Sequence, residues 1–358
     1  MAFYDGSGAN GLAVVVDVRS KFDHETDSVL REWALGRRAL GRGRWAQTLK
    51  VALREYGSEP WTAKRVKEEK DAILAHLRSK RIHVVVPVQT PATAGIRQVH
   101  SSWNMFGSPG NPYKWAGTVD LGPDFAVAPI LHPGNYEYVY GYLLERWLKQ
   151  AHAVAAGKLT PMPWPVSHIH PGPEIFETLR CIRRSTAPVS IDIETNMAGT
   201  IVTAIGFGNE HGVVSVPWHS YTIAGTNGEV EPSLLEYPNG KAIEHLAMQI
   251  LEHPGIPKIL HNGTFDVLQL AKYGITLRGF EHDTLLMHRV VYPQFRHGLQ
   301  QACATEFCVE PWKCKFKPPK VAREADPWLG CPVALREYNA RDTYATWQLY
   351  QHLKGKLG

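Results

Sequence analysis

Cysteine is scarce: the 358 residues contain five, Cys181, Cys303, Cys308, Cys314 and Cys331. An odd and sparse set argues against a disulfide framework and suits reduced thiols in a cytoplasmic setting. The gaps between the last four are four, five and sixteen residues, with no C-x2-C pair, so no common zinc spacing is present. No apolar run approaches the ~18 residues of a membrane-spanning helix, and no membrane partner is expected. The opening "MAFYDGSGANG" lacks the basic start and apolar stretch of a secretory signal. Its glycines follow no strand, which leaves a phosphate-cradling loop without support. No internal repeat is visible.

What is present is enough apolar material, 44% of residues, to bury a large core in two domains. The net charge is only +5, yet it is uneven: residues 30–81 hold 14 Lys or Arg against 6 acids, and "KCKFKPPK" is a second basic run. Both fit a phosphate backbone, and both equally fit solvated surface. Residues 157–174 carry five prolines, which no helix tolerates, and read as a semi-rigid linker. The expected division is therefore an accessory α/β domain over 1–156, the linker over 157–174, and a second domain over 175–358.

In the first domain "LAVVVDV", "IHVVVPV" and "DFAVAPIL" read as buried strands. "RWAQTLKVALREYG" and "AKRVKEEKDAILAHLRSK" read as helices between the first two. "YEYVYGYLLERWLKQAHAVAAG" closes the domain as an amphipathic helix capped by Gly157. The second domain opens with the strand "APVSIDIETN". "TIVTAIGFG" and "GVVSVPW", joined by "NEH", add a hairpin and complete a three-stranded meander. "AIEHLAMQILEH" is a helix by its spacing, followed by the short strand "KILHN". A helix runs from about Thr264 to Gly274, another enters at Asp283, and a last one spans about Val333 to Leu353. Meander first, then alternating strand and helix, predicts a mixed sheet covered by helices.

Inside "VSIDIETN", Asp192 and Glu194 project from one face of the strand while Val189, Ile191 and Ile193 take the other. Two unpaired carboxylates there would repel and resist desolvation, and a hard divalent cation would relieve both. Alone the pair is a weak signal that fits an exposed strand face better. Two further elements tip the balance. "HNGTFD" puts Asp266 on the first turn of a helix directly after a strand. "YNARD" puts Tyr338 and Asp342 four apart, on one helical face. Glu194 and Asp266 are 72 residues apart, and Asp266 and Asp342 are 76 apart.

These three motifs resemble the DEDD superfamily of 3′–5′ exonucleases, in the subclass with a tyrosine in the third motif. Within it they are most similar to the proofreading domain of phage-type family A DNA polymerases. "GITLRGFEHDTLLMHRVVYP" and "VEPWK" continue the likeness, which covers about residues 175–358. It implies an RNase H-like (DnaQ-like) mixed sheet and two divalent ions, Mg²⁺ or Mn²⁺, held by Asp192, Glu194, Asp266 and Asp342. By the same likeness Asp192, Glu194 and Asp342 hold the first ion, Asp192 and Asp266 the second, and Tyr338 orients the attacking water. Thr195, Asn262 and Phe265 are the implied substrate contacts. Phe265 and Phe207 are the candidates to stack a base, a core reading standing first for both, and Asp283 reads as a helix cap or an acid behind the ligands rather than a metal ligand. The implied substrate is single-stranded DNA or a frayed 3′ end, in a bacterial or phage-infected cytoplasm. A separate DNA polymerase is a candidate partner. An exoribonuclease of RNase D type and a non-catalytic DNA-binding accessory protein are the alternatives.

"APILHPGNY" resembles the His-Pro-Ser segment of the uracil-DNA glycosylase superfamily, and the element order over residues 12–156 is similar to that fold. The family's water-activating first motif has no counterpart here. The resemblance implies a DNA-binding or docking module with His132 near a backbone phosphate.

Overall fold

The computed structural model describes residues 2–18, 34–54, 63–89, 115–131, 133–313 and 327–357. His132 and Cys314 lie outside these residues, as does the basic run beyond Lys313. Contacts divide the chain into two units, Met1–Met162 with Cys303–Pro311, and Pro163–Ala302 with Trp312–Gly358.

In the first unit Leu12, Ala13, Val14 and Val15 are all buried, the two-sided burial that a central parallel strand requires. They belong to β2 (Leu12–Val18). The sheet runs in the order β1 (Ala2–Asp5), β3 (Leu49–Arg54), β2, β4 (Val84–Gln89), β5 (Ala126–Val127), and β6 (Ile130–Leu131) also pairs with β4. Among the described strands, β1 pairs antiparallel with β3, while β2–β3, β2–β4, β4–β5 and β4–β6 are parallel. Helices α1 (Arg42–Gln47), α2 (Ala63–Ser79) and α3 (Pro133–Ala155) accompany it. One expectation is corrected. "RWAQTLKVALREYG" is not a single helix: α1 stops at Thr48, whose N–H and hydroxyl both donate to the Arg44 carbonyl, and β3 follows. Leu49 and Val51 alternate with Lys50 and are buried, and pairing with β1 and β2 overrides the helix propensity of Lys, Leu, Ala and Arg.

The prolines of residues 157–174 do not leave a free spacer. Met162 N–H donates to the Cys308 carbonyl, β7 (Ser167–His168) joins a sheet, and Pro173 opens helix α4 (Pro173–Arg184). That helix, unread in the sequence, buries Ile175, Leu179 and Ile182.

The second unit holds the anticipated meander: β8 (Val189–Thr195), β9 (Val202–Asn209) and β10 (Gly212–Pro217), antiparallel throughout. A small hairpin, β11 (Tyr221–Thr222) and β12 (Val230–Glu231), and helix α5 (Gly240–Glu252) come next. Then follow β13 (Lys258–Leu260), α6 (Thr264–Lys272), β14 (Phe280–Asp283), α7 (Thr284–Val291), α8 (Leu299–Glu306), of which Leu299–Ala302 belong to this unit and Cys303–Glu306 to the first, and α9 (Pro332–Leu357). The sheet order is β14-β13-β8-β9-β10-β7, with β13 parallel to β8 and to β14. It is the expected mixed sheet.

The two faces of this sheet differ. On one, Ile191 and Ile193 join Ile175, Leu179, Ile243 and Ile250 in an apolar core beneath α4 and α5. Across the other lies α9. Glycines at 206 and 208 in β9 permit that approach, since a Cβ on Gly206 would fall 2.0 Å from Thr343 Oγ1 and one on Gly208 3.1 Å from Thr343 Cγ2.

Candidate active site

Strand β8 carries apolar side chains into the core and turns Asp192 and Glu194 toward α9. On α9, Asn339 and Thr343 are four apart and lie over β9, while Tyr338 and Asp342 form the adjacent stripe. Asn339 Nδ2 donates to Asp192 Oδ2 at 2.8 Å and to the Asp192 carbonyl at 3.1 Å, and its Oδ1 accepts from Ser215 Oγ on β10 at 2.6 Å. One amide thus ties the helix to two strands and fixes one acid. Ladder register shifts between Glu194 and Thr195, an irregularity that redirects the strand beside the site.

The outcome is a carboxylate trio: Asp192, Glu194 and Asp342 each offer an oxygen within 4.8 Å of the others. Asp266, on the first turn of α6, accepts at Oδ1 from the Ile193 backbone N–H at 3.1 Å, so it is fixed to the strand between the two β8 acids. Burial holds the Asp192 and Glu194 carboxyls well above the usual range, and repulsion from Asp342 adds to it. Burial likewise pushes Asp266 up to about 7, against hydrogen bonds from the Ile193 and Asp266 backbone N–H groups. Four carboxylates, three of them raised by burial, make the hard oxygen donor set that Mg²⁺ or Mn²⁺ fits.

A cation already reaches this cluster: Lys313, the last residue of "VEPWK" and the first of the basic run "KCKFKPPK". Lys313 Nζ donates to Asp342 Oδ2 and, at 3.1 Å, to the Tyr338 hydroxyl. The Trp312 indole N–H donates to Asp342 Oδ1, so both oxygens of that carboxylate are engaged. Burial opposes the Lys313 charge, but Asp342 and Tyr338 outweigh it and raise the ammonium's pKa. Burial first, and then Asp342, raise the Tyr338 phenol, so it stays protonated.

The second motif is held from behind. Asp283 caps α7 by accepting from Leu285 and Leu286 N–H, and also accepts from the N–H groups of Asn262 and Gly263 at 3.1 and 3.0 Å. This fastens the turn in which Asn262 adopts a left-handed φ of 64°. His261 donates or accepts at Nδ1 with Thr284 Oγ1 at 2.9 Å, and burial pushes its pKa down to about 4. Of the implied substrate contacts, Asn262 and Phe265 are exposed and Thr195 is half-buried. Phe207 is fully buried in the core and is no stacking platform.

The family described as "3′–5′ exonuclease" matches residues 175–358, half of the chain and all of the site. The chain belongs to this family. It is a 3′–5′ exonuclease of the DEDD superfamily, a divalent-metal-dependent group, with an RNase H-like sheet. No curated protein matches the chain. Among solved structures it is similar to Brucella melitensis NrnC bound to pGG, at 19% identity and a TM-score of 0.34, covering 53% of this chain and 79% of that one. The catalytic core of RRP6 from Trypanosoma brucei gives 16% identity and a TM-score of 0.36, over 55% of this chain and 49% of that one. The POL domain of Pol1 from M. smegmatis, in complex with DNA primer-template and dNTP, gives 20% and 0.34, over 54% of this chain and 27% of that one. No helix among the described residues is long and apolar enough to cross a membrane.

Proposed function

We propose that this exonuclease removes nucleotides from single-stranded or frayed 3′ ends of DNA, using two divalent ions. The observation that carries the reading is the oxygen trio of Asp192, Glu194 and Asp342, with Asp266 fixed to the intervening strand and Tyr338 at its edge. Asp192, Glu194 and Asp342 would hold one ion, and Asp192 with Asp266 the other. Bound ions supply Lewis-acid activation of water and neutralise the charge that builds on the leaving 3′-oxygen. The protonated Tyr338 hydroxyl orients the attacking water by hydrogen bonding. Asn262 and Phe265, in the same "HNGTFD" motif as Asp266 and both exposed, would meet the terminal nucleotide, with the Phe265 ring offering a face for a base. Thr195, directly after Glu194, is the third contact. In the first unit the exposed Arg37, Arg42 and Arg44 suit an accessory role on the phosphate backbone. A DNA polymerase is the partner this reading implies, in a proofreading or repair role.

The test is digestion of 5′-labelled DNA and RNA oligonucleotides with Mg²⁺ or Mn²⁺. We expect DNA shortened from its 3′ end. Asp192→Ala and Asp342→Ala should each lower the rate by at least about 10³-fold, or about 4 kcal/mol of transition-state stabilisation. Digestion that survives both substitutions removes the site. Four carboxylates do not read a 2′-hydroxyl, so faster digestion of RNA would replace the DNA assignment with an exoribonuclease.

A further inference from the structure

A metal-binding acidic cluster ordinarily has its charge relieved by the ion alone. Here a side chain shares that task. Lys313 is seated at its base, because Gln300 Oε1 accepts both the Trp312 and the Lys313 backbone N–H at 2.9 Å. Trp312 is buried and packs edge-on against Trp164, with ring centroids 5.1 Å apart. From that seat the Lys313 ammonium bonds Asp342 and the Tyr338 hydroxyl and lies 5.1 Å from the Tyr338 ring centroid.

Two consequences follow from the chemistry. An ammonium has donors and no acceptor, so the Tyr338 oxygen accepts from it and the phenolic hydrogen must point away from Lys313. The hydroxyl's direction is thereby set before substrate arrives. A positive charge bonded to Asp342 also repels any cation entering the trio, at distances where charges couple strongly.

We propose that Lys313 is a positioning residue of the hydrolysis: it fixes the Tyr338 hydroxyl and the Asp342 carboxylate as one unit, and in doing so weakens metal binding to the trio. The inference rests on the reading that Asp192, Glu194 and Asp342 hold the metal. Lys313→Met keeps the aliphatic stem and removes the charge and the donors, and Lys313→Arg restores both with altered geometry. Two quantities are measured on the full chain: Mn²⁺ affinity by calorimetry without substrate, and kcat and KM on a DNA oligonucleotide. Lys313→Met should bind Mn²⁺ at least about tenfold more tightly. Its kcat should fall by about 10²-fold, as when a water-orienting group is lost, with KM changed little. Lys313→Arg should recover part of kcat and return Mn²⁺ affinity toward wild type. Unchanged or raised kcat in Lys313→Met overturns the proposal, since Lys313 would then be a mere plug. Unchanged or weaker Mn²⁺ binding overturns it too, as does a loss of melting temperature in both variants that accounts for the lost rate. Failure of the underlying site reading looks different: wild type would bind no Mn²⁺, or Asp192→Ala would bind it as well as wild type.

Discussion

Asn339 shows how much one side chain can carry at this site. Its amide donates to Asp192 and accepts from Ser215, both in the interior. Asn339→Ala leaves the Ser215 hydroxyl without that acceptor and Asp192 without that donor, at a cost of about 1–3 kcal/mol. Because the lost bond orients a metal-binding acid from behind, the rate should also fall by about 10–100-fold. Thermal melts and steady-state kinetics on the same preparation check both. A variant that melts lower yet digests DNA at the wild-type rate would show Asp192 to be held by the strand alone. Nothing in the sequence marked Asn339. It sits in "YNARD" between two residues singled out for their four-residue spacing, while its partners are 147 and 124 positions away.

At the scale of elements, the site depends on how closely α9 lies on β9. The Gly206 position is the tightest point, with Thr343 Oγ1 at 2.0 Å and Asn339 Oδ1 at 2.9 Å from where a Cβ would be. Gly206→Ala must displace the Thr343 and Asn339 side chains or lift the helix that carries Tyr338, Asn339 and Asp342. We expect a loss of about 1–3 kcal/mol in stability and a drop in kcat. The double variant Gly206→Ala/Thr343→Ala should recover part of both, a non-additivity that melts and kinetics can detect. Additive losses would mean that the contact does not set the helix height. The elements also show what a sequence can and cannot reveal. The strand with Asp192 and Glu194, the first-turn Asp266 and the paired Tyr338 and Asp342 were legible because alternation and four-residue spacing are local properties. The Asp283 cap was legible for the same reason, and its side chain does accept from Leu285 and Leu286 N–H. The strand β3 was not: its register is imposed by β1 and β2, which local propensity does not report. Nor was Lys313, because a lysine in a basic run carries no sign that it turns inward to an acid 29 positions on.

For the molecule as a whole, the acids of the second unit are a source of instability until a cation neutralises them. Asp192, Glu194 and Asp266 all have folded-state pKa values raised above their ordinary range, Asp266 to about 7. A carboxyl raised in this way binds protons more tightly folded than unfolded. Between the unfolded value near 4 and the folded one, the native state therefore holds more protons, and stability falls as pH rises. In EDTA the second unit should lose stability steadily from about pH 6.5 toward pH 8. Below that range His261 and His288, pushed down by burial to about 4 and 3, take up protons on unfolding and offset the gain from the acids. This is opposite to the usual acid sensitivity of proteins whose carboxylates are salt-bridged. Divalent metal binds the ionised acids and competes with those protons, so Mg²⁺ or Mn²⁺ should raise the melting temperature most at pH 8 and least at pH 5. At 100 times its dissociation constant a metal adds about 2.7 kcal/mol. Melting curves at both pH values, with EDTA and with Mg²⁺, test this. The chain has two units, so the transition of the second must be followed separately, for example by its response to metal. Asp192→Ala/Glu194→Ala provides the control: it removes two of the three raised acids and should flatten the pH slope while abolishing the metal shift. A slope that persists in that variant would place the pH-sensitive groups elsewhere in the chain.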